Sequence, residues 1–362
     1  MKVAMVVTAK TRGGVYTNVK DLLLGLHGKG HELAVFVDDA LRDDFSEDLR
    51  AHPEIQIKSL KFAARERCDV WHLHLHDSFG RQALRLQLER LFWRGHRTIL
   101  LDEHLPRTPR SDESLDYEPD TPPGTKKPFA KQLKSLVKRG QFFLCGSVMV
   151  HSQASADFLK NRYSTSAKRI VLVPLGVPVT PQLDSPGPSR ALRILLLAVV
   201  CFRKGHDLLI EATRFAQTPW EVTFAGGGSQ LRSFEALAAE RAQQPIRFVG
   251  ELKDPLAAIA ACDVLCVPSR SDASSISGLE AMMAGKPLVV STADGVPELV
   301  HDGVTGLIVE ATDPRALAAA LDKMSDIALR TTMGRNAREV MLATRTFDHM
   351  VHATIAAYQG LQ

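Results

Sequence analysis

Short apolar runs alternate along this chain with stretches whose hydrophobic residues recur every three or four positions. Val3 to Val7 is the first run and reads as a buried strand. Val19, Leu22, Leu23 and Leu26 then mark one face of a helix, which stops near Gly28 and Gly30. Leu33 to Val37 is the next strand. More strands are expected at Val70 to Leu75, Thr98 to Leu101, Ser147 to Val150 and Val171 to Val173, most of them separated by helical segments. Strand, loop, helix, strand in that order is the start of a parallel α/β sheet.

Residues 105–124 break the rhythm. They hold five prolines and no apolar periodicity, so they read either as a binding lid or as a disordered loop. Residues 180–190 are the best linker candidate. The α/β rhythm then restarts, with a strand at Ile194 to Val200 and a helix at Asp207 to Phe215. Strands are expected at Val222 to Ala225, Ile246 to Val249, Val264 to Val267, Pro287 to Val290 and Leu307 to Val309. Periodicity alone therefore predicts an α/β chain of two doubly wound, Rossmann-like domains, 1–180 and 181–340. Ligands of such domains bind at the C-terminal ends of the strands, and two facing domains leave an interdomain cleft.

Composition adds three points. The 45% hydrophobic and 24% charged content is ordinary for a globular protein. The formal net charge of +4 is too small to imply nucleic-acid binding, but it is unevenly spread. Residues 1–180 carry 28 Lys and Arg against 21 Asp and Glu, and residues 181–362 carry 17 against 20. A basic first half suggests an anionic surface or substrate. The five scattered cysteines lack CxxC spacing, and Cys262 and Cys266 flank a buried strand, so they read as core thiols in a reducing cytoplasm. The apolar run at the N-terminus is too short for a signal peptide, and the run from Ile194 to Phe202 is only about half a membrane span.

The chemistry concentrates between Val264 and Val309, VLCVPSRSDASSISGLEAMMAGKPLVVSTADGVPELVHDGVTGLIV. A loop supplies Asp272, and a helix beginning near Ser275 carries Glu280. Between the two carboxylates lie the backbone N–H groups of a helix N-terminus, a ready anion site. A sugar nucleotide needs these three features. Glu280 suits a ribose diol, the amides near Ser274, Ser275 and Ile276 suit a diphosphate, and Asp272 suits sugar hydroxyls. Each residue also has a plainer reading: Asp272 as a helix N-cap, Glu280 as a solvated face charge, the serines as ordinary caps.

Arg203 and Lys204 sit between a buried strand and the next helix, where cations can stabilise a departing diphosphate without a metal, or can simply be solvated. No Asp-x-Asp triplet occurs, which argues against a metal-dependent glycosyltransferase architecture. Gly13-Gly14 after the first strand does not match GxGxxG, so a nicotinamide enzyme is disfavoured. The pair serves either close backbone approach to a ligand or a simple turn. Gly226-Gly227-Gly228 is equally ambiguous. His72, His74 and His76 lack a completing carboxylate or cysteine for a metal site. His104 follows a strand and is expected to face the cleft.

The ordered set VPSRSD…GLEAMMAGKPLVV…GVPELVHDGVTGLIV resembles the donor-binding signature of family 4 retaining glycosyltransferases, which have the GT-B fold. MKVAMVV, GHELAVF, CDVWHLH, VLVPLGVPV, RKGHDLLIEA and IRFVGEL extend the resemblance over nearly the whole chain. It implies Glu280 on the ribose, Lys204 on the diphosphate, Asp272 on the sugar, and the Gly13-Gly14 loop over donor and acceptor. His104 matches the family's cleft histidine. RTFDHMVHATIAAYQGL resembles the family's terminal helix, placing 341–362 back towards the first domain. Three departures from the pattern stand out. The family usually has Glu where Asp272 stands, often Gly-Phe-Gly at Ala273 to Ser275, and usually Arg where Val199 stands.

The resemblance implies a retaining, metal-independent hexosyltransferase without a cofactor. Its donor would be a UDP- or GDP-sugar and its acceptor a glycan or lipid-linked saccharide, as in polysaccharide biosynthesis. Residues 126–143, KKPFAKQLKSLVKRGQFF, read as a basic amphipathic segment, suited either to anionic membrane or to a core-facing surface helix. The expected location is the cytoplasm, with peripheral contact on the inner membrane face. The competing readings are a UDP-sugar epimerase of the same fold, a phosphorylase, and a non-catalytic sugar-nucleotide-binding protein.

Overall fold

The computed structural model describes residues 1–7, 14–60, 67–75, 97–102, 147–163, 165–183, 187 and 189–360. Gly13, His76, His104, Cys145, and the segments 105–124 and 126–143, lie outside the described residues. The described chain divides into two compact units. One is drawn from Met1 to Pro174 together with the last helix, and the other runs from Leu175 to Thr346.

The first unit is built on a parallel sheet. Its strands are β1 (Lys2–Val7), β2 (Glu32–Val37), β3 (Gln56–Ser59), β4 (Val70–Leu75), β5 (Arg97–Asp102), β6 (Ser147–Val150) and β7 (Ile170–Leu172). They lie in the order β3-β2-β1-β4-β5-β6-β7, and every pairing is parallel. Helix α1 (Gly14–Gly28) connects β1 to β2, α2 (Arg42–Asp48) precedes β3, and α3 (Gln153–Tyr163) connects β6 to β7. Val3 to Val7 are all buried, alternating onto both faces of the sheet, which is why this strand reads as an unbroken apolar run. The strand β3 has no such signal. Ile57 is its one large aliphatic residue, and only the ladder to β2 at the sheet edge makes Gln56–Ser59 a strand.

The second unit repeats the plan. Its strands are β8 (Leu192–Leu197), β9 (Trp220–Ala225), β10 (Ile246–Gly250), β11 (Val264–Val267), β12 (Leu288–Ser291) and β13 (Gly306–Val309). The order is β10-β9-β8-β11-β12-β13, again all parallel. The helices are α4 (His206–Ala212), α5 (Leu231–Arg241), α6 (Pro255–Ala261), α7 (Ile276–Met283), α8 (Pro314–Lys323) and α9 (Ile327–Thr344). Asp254-Pro255 and Asp313-Pro314 open α6 and α8 by the same device. The aspartate accepts from the first-turn amides, and proline occupies a position whose N–H has no helical partner. Trp220, Phe224, Leu209, Leu321 and Met324 are fully buried at the centre of this unit's core. The strand β8 ends at Leu197, short of the apolar run, and Val199 beyond it is 54% exposed.

In both sheets the chain reverses direction between the first and fourth strands, at β1/β4 and at β8/β11. The loops leaving the two strands on either side of such a reversal diverge, and a crevice opens at their carboxyl ends.

The last helix, α10 (Phe347–Gln359), begins after a break at Arg345–Thr346 that separates it from α9. It packs on α1 at Gly25, where a Cβ would stand 2.4 Å from Val351 Cγ2. Tyr358 is fully buried, and its hydroxyl is 2.7 Å from His72 Nδ1. His72 and His74 stack at 4.3 Å with no exposure, and burial pushes the His74 imidazole down to about 3. Both are therefore neutral core groups at neutral pH. Cys68, Cys201, Cys262 and Cys266 are buried thiols, and burial pushes the Cys262 thiol up to about 12. Among the described residues no helix is long and apolar enough to cross a membrane.

Candidate functional site

The reversal in the second sheet brings together the loop after β8 and the loop after β11. The first loop ends in a 3₁₀ turn, Phe202–Lys204, followed by Gly205 at φ 75°. That left-handed residue turns the chain into α4. A Cβ on it would also lie 2.1 Å from the Pro268 carbonyl oxygen of the second loop, so only glycine lets the two loops meet.

The loops are then pinned by Arg270. Its amide donates to the Arg203 carbonyl at 2.8 Å. Its guanidinium donates to the Phe202 carbonyl at 2.8 Å and grips the Asp207 carboxylate with two bonds of 2.7 and 2.5 Å. The same group lies 3.7 Å over the Phe202 ring. A bidentate pair combined with a stacked cation is specific to arginine geometry.

This clasp sets Arg203 and Lys204 against Asp272. Arg203 Nη1 donates to the Ser271 carbonyl at 2.9 Å and stands 3.9 Å from Asp272 Oδ1. Lys204 Nζ hydrogen-bonds Asp272 Oδ2 directly. Asp272 is not the cap of the next helix. Ser275 is, its hydroxyl accepting from the Gly278 amide at 3.2 Å. The plainer reading of Asp272 as an N-cap is thereby removed: its carboxylate faces the cations and not the helix end. The Asp272 amide donates to Asp294 Oδ2 at 3.1 Å, and the Gly295 amide returns a bond to the Asp272 carbonyl at 3.1 Å. Asp294 holds a left-handed φ of 49°, uncommon without glycine and frequent at sites that over-determine the backbone.

The start of α7 is tied to the end of β8. The Ser277 hydroxyl donates to the Leu197 carbonyl at 2.8 Å and lies 3.1 Å from Ser275 Oγ. The first-turn amides, beginning at Ile276, thus lie at the carboxyl end of β8, the strand whose following loop carries Arg203 and Lys204. Ser274 Oγ is buried with no hydrogen-bond partner, as is Ser269 Oγ at the exit of β11. Glu280 stands half-buried in the second turn of α7.

Of the ten residues singled out from the sequence, Arg203, Lys204, Asp272, Ser274, Ser275 and Ile276 gather at this one sheet edge, with Glu280 on the helix that leaves it. Gly14 opens α1 in the other unit. Gly13 and His104 lie outside the described residues. Sequence reasoning passed over Phe202, Asp207, Arg270 and Asp294. An Arg–Asp pair 63 residues apart leaves no local spacing to read. The triglycine run Gly226 to Gly228 has a packing reason: a Cβ at Gly226 would fall 1.9 Å from the Ala198 carbonyl oxygen.

Comparison with known proteins follows the same division. Residues 12–180 match the model described as Glycosyltransferase Family 4, and residues 186–340 match that of Glycosyl transferases group 1. A D-inositol 3-phosphate glycosyltransferase of Geodermatophilus obscurus is 32% identical over 245 residues, covering 59% of this chain and 53% of that protein. Its counterpart from Corynebacterium kroppenstedtii is 29% identical over 220 residues, covering 53% and 48%. The chain thus spans about half the length of the curated relatives it matches. Among solved structures, Anabaena HepE in complex with UDP and glucose superposes with a TM-score of 0.79 at 16% identity, covering 99% of each chain. The fold is GT-B, α/β with parallel sheets in two Rossmann-like domains. With both halves matched in order, the chain belongs to the group 1, family 4 glycosyltransferases.

Proposed function

We propose that this protein transfers a hexose-type sugar from a nucleotide-diphosphate donor to a hydroxyl acceptor, with retention of anomeric configuration and without a metal. The observation that carries the proposal is the convergence of Lys204, Arg203 and Asp272 beside the first-turn amides of α7. A diphosphate leaving group gains negative charge as the glycosidic bond breaks. Fixed cations and amides stabilise that charge more than they stabilise the ground state, and this lowers the barrier. In this reading Lys204 and Arg203 take the diphosphate with the α7 amides. Asp272 moves from the cations to sugar hydroxyls, and Glu280 holds the ribose. The acceptor hydroxyl attacks from the side the diphosphate leaves, and a diphosphate oxygen takes its proton. The solved structure of HepE with UDP and glucose supports a UDP-sugar donor, and the named relatives support a hydroxyl acceptor. The second unit is the donor-binding one in this reading, the first unit binds the acceptor, and His104 serves there.

The test is thermal stabilisation by UDP-, GDP-, ADP- and TDP-sugars, followed by nucleotide release with a pooled acceptor extract, for the wild type and Glu280→Ala. A ligand that binds only the folded state raises its melting temperature. Stabilisation by one nucleotide family, lost in Glu280→Ala, with acceptor-dependent release and a retained product anomer, is the expected result. An inverted anomer would overturn the mechanism. Conversion of the donor without acceptor would assign an epimerase, and binding without any turnover would assign a sugar-nucleotide-binding protein.

A further inference from the structure

Away from the switch point, three metal-ligating side chains meet on the first unit. His27 lies in the last turn of α1, beside fully buried Leu26. The helix stops immediately afterwards, where the Gly30 amide donates to the His27 carbonyl at 2.8 Å with Gly30 at φ 79°. His52 and Glu54 belong to the turn between α2 and β3. The Ile55 amide donates to the His52 carbonyl at 3.0 Å, closing a four-residue turn with Pro53 at its second position. Buried Leu49 and Ile55 anchor that turn on either side, and the His52 amide donates to the Leu49 carbonyl at 2.9 Å. Proline and the two backbone bonds leave His52 and Glu54 little freedom to diverge.

Their side chains converge on His27. His27 Nε2 is 2.6 Å from Glu54 Oε1, and His52 Nδ1 is 3.6 Å from the same oxygen. The two imidazoles stand edge to face at 5.4 Å. One donor atom from each residue lies within 4.8 Å of the others, and among the described residues no other histidine, cysteine or carboxylate trio does so. Zinc binds imidazole nitrogen and carboxylate oxygen at about 2.0–2.2 Å, so donors around a tetrahedral ion stand roughly 3.3 Å apart. The His27–Glu54 and His52–Glu54 separations of 2.6 and 3.6 Å bracket that spacing.

We propose that His27, His52 and Glu54 form a site for a divalent zinc-like cation, which clips the end of α1 to the turn leading into β3. Two imidazoles and one carboxylate are a borderline-soft donor set that favours zinc over magnesium or calcium. Three protein ligands leave the fourth position to water. The site stands on the opposite chemistry from the sugar-nucleotide reading and is independent of it.

The experiment is a calorimetric titration of the EDTA-stripped, untagged full chain with zinc chloride, repeated with magnesium chloride. It is run on the wild type, His27→Ala and Glu54→Gln. The wild type is expected to bind one zinc per chain at this site and to melt at a higher temperature with zinc than without. Each variant is expected to lose at least about tenfold in zinc affinity, no less than the loss from removing an outer-shell partner, and to lose the zinc-dependent rise in melting temperature. The three side chains are at least partly exposed, so the metal-free variants should melt close to the metal-free wild type, which checks that they fold. Absence of zinc binding by the wild type, or zinc binding of equal affinity in both variants, would overturn the proposal. An ordinary His–Glu ion pair would give the first result.

Discussion

Lys204 and Asp272 are 68 residues apart in sequence, yet the lysine ammonium is hydrogen-bonded to the aspartate carboxylate at the edge of one sheet. Each comes from a different strand-to-helix loop, and the reversal of strand order between β8 and β11 makes those loops neighbours. The pair holds opposite charges where a sugar diphosphate would have to part them. Lys204→Ala is therefore expected to lower turnover by about 10²–10³-fold, the usual cost of one donor to a developing anion. Donor KM should change far less. Steady-state kinetics with the donor found by the stabilisation screen checks this, and an unchanged kcat would remove Lys204 from the leaving-group role.

Arg270 is assigned no diphosphate contact, but its bonds to the Arg203 and Phe202 carbonyls hold the turn that carries Arg203 and Lys204. Arg270→Lys keeps the charge and loses the two-pronged grip on Asp207. We expect a kcat loss approaching 10²-fold, because displacement of a catalytic group by about 1 Å can cost that much. Asp207→Asn should produce a similar loss, and the double variant should be little worse than either single one. Full additivity would show that the two residues act separately.

His206 gives the second unit an acid limit. The ring is fully buried between Phe224 and Phe234, and its Nδ1 is 3.3 Å from the Cys201 carbonyl while Nε2 has no partner. Burial pushes its pKa down to about 4, against partial compensation from the Cys201 carbonyl and Asp207. The unfolded chain, with a histidine near 6.5, then binds the extra proton across this window while the folded chain does not. Stability from this group is complete above about 6.5 and falls as the pH drops towards 4, by roughly 3 kcal/mol in all. Urea unfolding at intervals from pH 7 to 4 should show a shallower decline in His206→Phe than in the wild type. Parallel curves would refute the assignment.

Asp263 closes a charged cluster at the amino ends of β8 and β11. Its side chain has no exposure and accepts from the Arg193 amide at 3.0 Å and Nε at 2.9 Å, with Arg330 Nη2 at 3.3 Å. Burial raises its pKa, and the arginine hydrogen bonds and charges more than reverse this, leaving the carboxyl below its usual range. Asp263→Ala would leave two largely buried guanidinium groups without their anion, at a cost of about 3–5 kcal/mol. Denaturant midpoints test the figure. A loss under about 1 kcal/mol would show that water or a neighbour takes over.

Much of the architecture was legible in order of residues alone. Unbroken apolar runs such as Val3 to Val7 read as strands buried on two faces, and their alternation with helical stretches points to parallel crossovers. Asp-Pro helix starts and the Ser275 cap are equally local, since a cap reaches only two or three residues along the chain. The candidate site was half legible for the same reason. Arg203, Lys204, Asp272 and Glu280 stood out because each occupies a strand-to-helix loop or the helix that follows, in a segment resembling a known family.

Sequence by itself thus determined most of the strands and helices, and which loops carry charge. Tertiary structure alone decided what those charges meet. The β3 edge strand exists only through its ladder with β2. The alternative of Asp272 as a cap was eliminated only once Lys204 was seen on its carboxylate. Arg270, Asp207 and Asp294 entered the site, and His27 met Glu54, through strand order and turn geometry. Local signals span a few residues because caps, turns and helical faces do. Contacts across 22 to 68 residues depend on which strands lie side by side, and no short-range pattern encodes that.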